Sequence, residues 1–144
     1  MRIIQRLLLL LLALSLTTSV AIAAAQPIDD PDKYAAEVMR LLAKGDMAAL
    51  AKTVTDSIGK PESADTLKNA LSMLGGKPID YSDKVIDNTF GKGLRQIVYY
   101  SFIDNVGFIY YRFNFKMSSK GWILANFNFK TETNELFPKD FIDR

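Results

Sequence analysis

The chain has 144 residues, with 18 Lys and Arg against 16 Asp and Glu, and it contains neither His nor Cys. Those absences exclude Ser-His-Asp and Cys-His nucleophilic catalysis, together with ordinary zinc, haem and iron–sulfur ligation. Asp, Glu, Lys and Tyr remain for acid–base work, no calcium-loop spacing is present, and neither a metal nor a cofactor is expected.

Residues 1–25 read as a secretory signal peptide. Arg2 and Arg6 form a positive start, Leu7 to Leu14 an apolar run, and Ser15, Thr17, Thr18 and Ser19 a polar break. Ala21-Ile22-Ala23-Ala24-Ala25 then offers A-x-A cleavage after Ala23 or Ala25. The segment Leu7 to Ala25 approaches the length of about 20 apolar residues that spans a bilayer. Its four hydroxyls and small-residue exit favour cleavage over anchoring. Lipoprotein processing needs a cysteine and is closed. The expected location is periplasmic or secreted, with no membrane association after cleavage.

Residues 26–144 suit a single domain. A domain of this size buries about two-thirds of its unfolded surface, and without disulfides packing must hold it. Removing Arg2 and Arg6 with the leader leaves acidic and basic residues in balance. A neutral chain without a basic stripe lacks the electrostatic footprint of nucleic-acid binding.

Helical signals come first. Asp30 can cap a helix that has Pro31 in its first position and Asp32 in its first turn. The Asp29-Asp30-Pro31-Asp32 cluster is accordingly read as a helix start. Tyr34, Val38, Leu41 and Leu42 recur at helical spacing up to Gly45. Asp46 caps a second helix with Leu50, Val54 and Ile58 on one stripe. Gly59-Lys60-Pro61 breaks it, and a third helix turns Ala64, Leu67, Leu71 and Leu74 inward until Gly75-Gly76.

From Ile79 the period changes from 3.6 to 2. Strands are expected over Val85 to Phe90, Leu94 to Ile103, Phe108 to Lys116 and Trp122 to Lys130, joined by short turns as an antiparallel meander. Strict alternation puts Ile109, Tyr111, Phe113, Phe115, Ile123, Ala125, Phe127 and Phe129 on the core face. Phe108, Tyr110, Arg112, Asn114, Lys116, Trp122, Leu124, Asn126, Asn128 and Lys130 take the other. Helices followed by strands give an α+β two-layer domain, with the helices as cover for the sheet.

Helix, Gly45-Asp46 turn, two helices and a meander ending in Gly121-Trp122 resemble the nuclear transport factor 2-like superfamily. This is the cystatin-like cone that also holds ketosteroid isomerase and SnoaL-like enzymes. Leu41-Leu42-Ala43-Lys44-Gly45-Asp46 fits its common helix break, and Gly121-Trp122 fits the opening of its last long strand. The resemblance covers most of residues 30–136. It implies a curved sheet around a long helix, an internal pocket and frequent dimers through the sheet, but no particular activity.

Tyr99, Tyr111, Phe113, Phe127 and Phe129 are the candidate lining of a ligand pocket, against the simpler reading of plain core packing. Tyr110, Arg112, Asn114, Trp122, Asn126 and Asn128 are the candidate interface, against a solvated sheet face. Asp87 is a weak candidate general base; no other catalytic residue is assigned. The expected function is an exported, non-enzymatic binding module for a small apolar ligand or a protein partner. The alternatives are a cofactor-free isomerase, cyclase or hydrolase using Asp and Tyr in the cone, and a structural or regulatory partner of an envelope assembly.

Overall fold

Helix α1 (Pro31–Ala43) starts where its free N–H groups find an acceptor: the Asp30 carboxylate takes the N–H of Asp32 at 3.0 Å and of Lys33 at 3.3 Å. Pro31 costs nothing at this position because its missing N–H has no intrahelical partner. The Asp46 carboxylate starts α2 (Met47–Ile58) in the same way, accepting from Ala49 N–H at 3.0 Å. Gly59 ends α2 in the left-handed region (φ 80°), where a side chain would be strained. A single 3₁₀ turn, Pro61–Ser63, leads into α3 (Ala64–Ser72). The computed structural model describes residues 24–74, 79, 81–104 and 106–131. The expected signal peptide as far as residue 23, the expected Gly75-Gly76 helix stop and the chain beyond residue 131 lie outside the described residues.

The sheet is a four-stranded antiparallel meander of β1 (Tyr81–Phe90), β2 (Leu94–Ile103), β3 (Gly107–Ser118) and β4 (Gly121–Lys130), in that spatial order. The domain is therefore α+β, three helices followed by an antiparallel sheet, as expected. β1 begins at Tyr81, four residues before the expected Val85. α1 lies against β2, α2 against β4, and α3 packs onto α2. Each helix contributes to one buried core: Ala35, Val38, Met39 and Leu42 from α1, Leu50 and Val54 from α2, and Leu71 from α3. Thr55 and Ser57 are buried polar residues of α2. Their hydroxyls donate to the carbonyls one turn back, Ala51 O and Thr53 O, each at 2.8 Å.

Both edge strands carry an inserted residue. In β1 the register passes from Lys84↔Tyr99 to Ile86↔Val98, leaving Val85 unpaired. In β4 it passes from Asn114↔Asn126 to Phe115↔Leu124, leaving Ala125 unpaired. A bulge reverses the side-chain phase of every residue beyond it. The expectation that Ile123 and Ala125 face the core while Trp122 and Leu124 face outward is therefore corrected. Leu124 is buried opposite Phe115, Trp122 packs against the core from the same face, and Ile123 pairs with Lys116 on the outer face.

The segment preceding α1 closes the fold. Ile28 is buried, and its N–H donates to Trp122 O at 2.7 Å on the free edge of β4. Beside this bridge Gly121, the first residue of β4, has φ 118°, a conformation side-chain-bearing residues rarely adopt.

Tyr111 and Phe113, both fully buried, anchor the core. Tyr111 Oη and Ser101 Oγ lie 3.0 Å apart, each the other's partner in an otherwise apolar layer. Tyr111→Phe is expected to cost about 1–3 kcal/mol because it leaves the Ser101 hydroxyl buried without a partner. Phe113→Ala is expected to cost about 3–5 kcal/mol through the cavity it opens. Urea unfolding of each variant measures both, and equal stability to wild type would show that this layer is not close-packed.

Candidate functional site

Antiparallel register brings the five expected pocket residues onto one face. Tyr99 stands opposite Tyr111 and Tyr111 opposite Phe129, while Phe113 stands opposite Phe127. The Phe113 ring is surrounded: its centroid lies 5.0 Å from that of Phe127, 6.3 Å from Tyr99 and 6.4 Å from Phe115. α1 covers this layer, with the Tyr34 ring edge-on to Phe115 at 6.0 Å. Burial pushes the Tyr111 phenol up to about 12. With its hydroxyl satisfied by Ser101, Tyr111 is arranged as packing, whereas Tyr99, Phe127 and Phe129 are half-buried at the margins.

Beside Tyr99 the inner face turns ionic. Lys84 Nζ reaches Asp32 of α1 at 2.8 Å and Asp87 at 3.2 Å. Arg95 grips Asp87 with two bonds of 2.8 Å, a bidentate pair. Lys84 and Asp87 are three residues apart and would lie on opposite faces of a regular strand. The Val85 bulge puts both on the inner face. The Arg95 guanidinium, with Lys84 behind it, holds the Asp87 carboxyl below the usual aspartate range. An ionised, doubly paired carboxylate is a poor proton acceptor, so the geometry speaks against Asp87 as a general base. The charges of this chain also push the Tyr99 phenol upward, after burial, chiefly through Asp32.

A groove of about 550 Å³ lies between residues 26–30 and the facing sides of α1 and α2. Asp29, Asp30, Asp56, Lys33, Lys52 and Tyr34 contribute to its walls. Its carboxylates are in part answered by its own lysines, Lys33 with Asp30 and Lys52 with Asp56. Tyr34 Oη is turned back to Thr53 O at 3.2 Å.

The outer face of the sheet reads as successive rungs, each a set of residues directly opposite one another. One end is Tyr81, Phe102 and Phe108. Asp83, Tyr100, Tyr110 and Lys130 come next, then Ile86, Val98, Arg112 and Asn128. The fourth rung is Asn88, Gln96, Asn114 and Asn126, one primary amide from every strand. Phe90, Leu94, Lys116 and Ile123 form the last. Of the expected interface residues, Tyr110, Arg112, Asn114, Asn126 and Asn128 thus share the outer face. Trp122 does not, because the Ala125 bulge turns it inward.

Tyr81 and Phe108 are about half exposed (52% and 50%) in an aromatic patch with Tyr100 and Phe102. The Phe102 and Phe108 centroids are 5.2 Å apart, Tyr81 and Tyr100 5.6 Å, and Tyr100 and Phe108 5.9 Å. Tyr81 Oη also donates to Asp83 at 3.3 Å, and its hydrogen bonding with Tyr100, reinforced by the Asp83 charge, pushes its phenol up to about 12. The candidate interface leaves out Tyr81, Tyr100, Phe102, Asn88 and Gln96, and also Phe108, which the alternation already places on the outer face. The signal available was the alternation of β2, where Gln96, Val98, Tyr100 and Phe102 occupy one face.

Because the folded-state pKa of Asp87 is depressed, its ion pairs stabilise the fold above the ordinary aspartate pKa. That contribution is lost as the pH falls through the lower folded value. Asp87→Asn is expected to be less stable than wild type at neutral pH and to converge with it in acid. Thermal unfolding across the acid range reads this directly, and a gap that persists at the acid end would overturn the assignment.

Comparison with protein-family models, curated proteins and solved structures finds no match for this chain.

Proposed function

We propose that the protein is an exported, non-enzymatic binding module that works through the outer face of its sheet. The observation that carries this reading is the exposed aromatic patch of Tyr81, Tyr100, Phe102 and Phe108. Soluble domains seldom leave contiguous aromatic surface uncovered unless it meets a partner. The inner aromatic layer supports the same choice from the other side, since Tyr111 and Phe113 fill the space a small apolar ligand would take.

Export rests on the Arg2-to-Ala25 pattern, and the nuclear transport factor 2-like cone on the order of helices and meander, with which the α+β layout is compatible. The enzymatic alternative, which rests on the resemblance, is left without its weak candidate base, since Asp87 is paired with Arg95 and Lys84. A second copy, or a component of an envelope assembly, is the competing kind of occupant for the outer face.

A photoreactive phenylalanine analogue tests the reading in the producing cell. Placed at Phe108 or Asn126, it is expected to give covalent adducts, while the same analogue at Asp65 on the exposed side of α3 gives none. The intact mass of the same protein is expected to lack the leader through Ala23 or Ala25. Adducts absent from the two sheet positions, or equally strong at Asp65, would overturn the outer-face reading. A retained leader would overturn export.

A further inference from the structure

Lys130 ends β4 opposite Tyr110, one rung short of Tyr81, Phe102 and Phe108. Because β3 and β4 run antiparallel, the chain leaves β4 in the direction of Phe108, the β3 residue two places beyond Tyr110. The aromatic patch therefore stands where the chain comes off the sheet. It belongs to β1, β2 and β3, about 10 Å of sheet width at ordinary strand spacing. Its far ring, Tyr81, is about 16 Å from Lys130 on the same spacing.

The residues that follow carry side chains suited to this surface. Residues 131–135 are polar, and two apolar pairs come next, Leu136-Phe137 and Phe141-Ile142. Those from 132 onward lie outside the described residues. An extended chain advances at most about 3.3–3.6 Å per residue. Leu136, six residues past Lys130, can thus travel about 20 Å, enough to reach every ring of the patch.

Charge matches as well. The outer face carries Arg112, Lys116 and Lys130 against Asp83. Residues 132–144 carry Glu132, Glu135, Asp140 and Asp143 against Lys139 and Arg144. A second copy laid on this face would set an excess of cations against the same excess, and like charges brought together disfavour a complex. A segment on a short flexible tether also meets its site at about millimolar effective concentration, so the contact needs no high intrinsic affinity.

We propose that residues 132–144 fold back across the outer face, with Leu136-Phe137 seated on the Tyr81–Phe108 patch. The proposal rests on the outer-face reading above and adds its regulation: an outside partner gains the patch by displacing a segment of the same chain.

The photoreactive phenylalanine analogue at Phe108 gives the test, in the purified exported chain, dilute and with no other component present. Peptide mass spectrometry is expected to find cross-links within one chain to residues 132–144, and none from the analogue at Asp65. Leu136→Ser combined with Phe137→Ser is expected to lower the yield about tenfold, the weight of one buried apolar side chain, with the far-ultraviolet circular dichroism unchanged. The same double variant is expected to raise adducts at Phe108 in the producing cell. Cross-links that are absent, that join two chains, or that keep their yield in the double variant would overturn the proposal. Adducts to another protein in the cell would in that case leave the outer-face reading standing. Cross-links within one chain that the double variant loses, with no adducts to another protein from either form, would uphold the fold-back and remove the outside partner.

Discussion

The phase of the two edge strands is the constraint on which the rest depends. A sheet covered by helices on one side must deliver apolar side chains to that side from every strand, and a single-residue slip sends the whole set to water. β2 and β3 keep regular alternation. β1 and β4 each spend one residue, Val85 and Ala125, to come into phase at both ends. In β4 the gain is apolar: Leu124 and Phe127, three apart, both reach the core. In β1 it is ionic: Lys84 and Asp87, also three apart, both reach the inner face, where they link α1 to the sheet through Asp32. Bulges and charges on outer strands also spoil the flat edge that a foreign strand could pair with.

The two faces of this sheet divide the chemistry between them. The inner face pairs its one interior phenol with a serine hydroxyl and closes its open side with ion pairs. The outer face keeps aromatic rings and primary amides at the surface, with Tyr81 and Phe108 about half exposed. Aromatic content alone does not distinguish these situations. Tyr111 and Tyr81 are both tyrosines at alternating strand positions, and what separates them is whether the hydroxyl has Ser101 beside it in a buried layer or Asp83 beside it at the surface.

Much of the fold was legible in the residues. Asp30 with Pro31, Asp46 and Gly59 announce helix ends through local chemistry that needs no tertiary context. The alternation of β3 survives intact because that strand has no bulge. What was illegible depended on pairing. Nothing in Trp122-Ile123-Leu124-Ala125-Asn126 marks Ala125 as the extra residue, since apolar side chains stand on both phases and only the match to Phe115 and Asn114 decides. The ion chain was hidden for the same reason: the expected strand began at Val85, leaving Lys84 outside it, and in a regular strand Lys84 and Asp87 would face opposite ways. The amide rung joins four residues with no regular spacing, and only inter-strand register assembles them.

The bridge between Ile28 and Trp122 has a consequence in time. It joins the residues just before α1 to the start of β4. A chain emerging N-terminus first, from a ribosome or a membrane channel, cannot make this contact until β4 has followed. The helices can nucleate early, because their contacts are local. The core they cover has no complete floor until Leu124 and Phe127 arrive, and the segment preceding α1 stays unfastened until then. Closure of the fold is thus postponed until β4 has formed, with the segment preceding α1 unbridged until then.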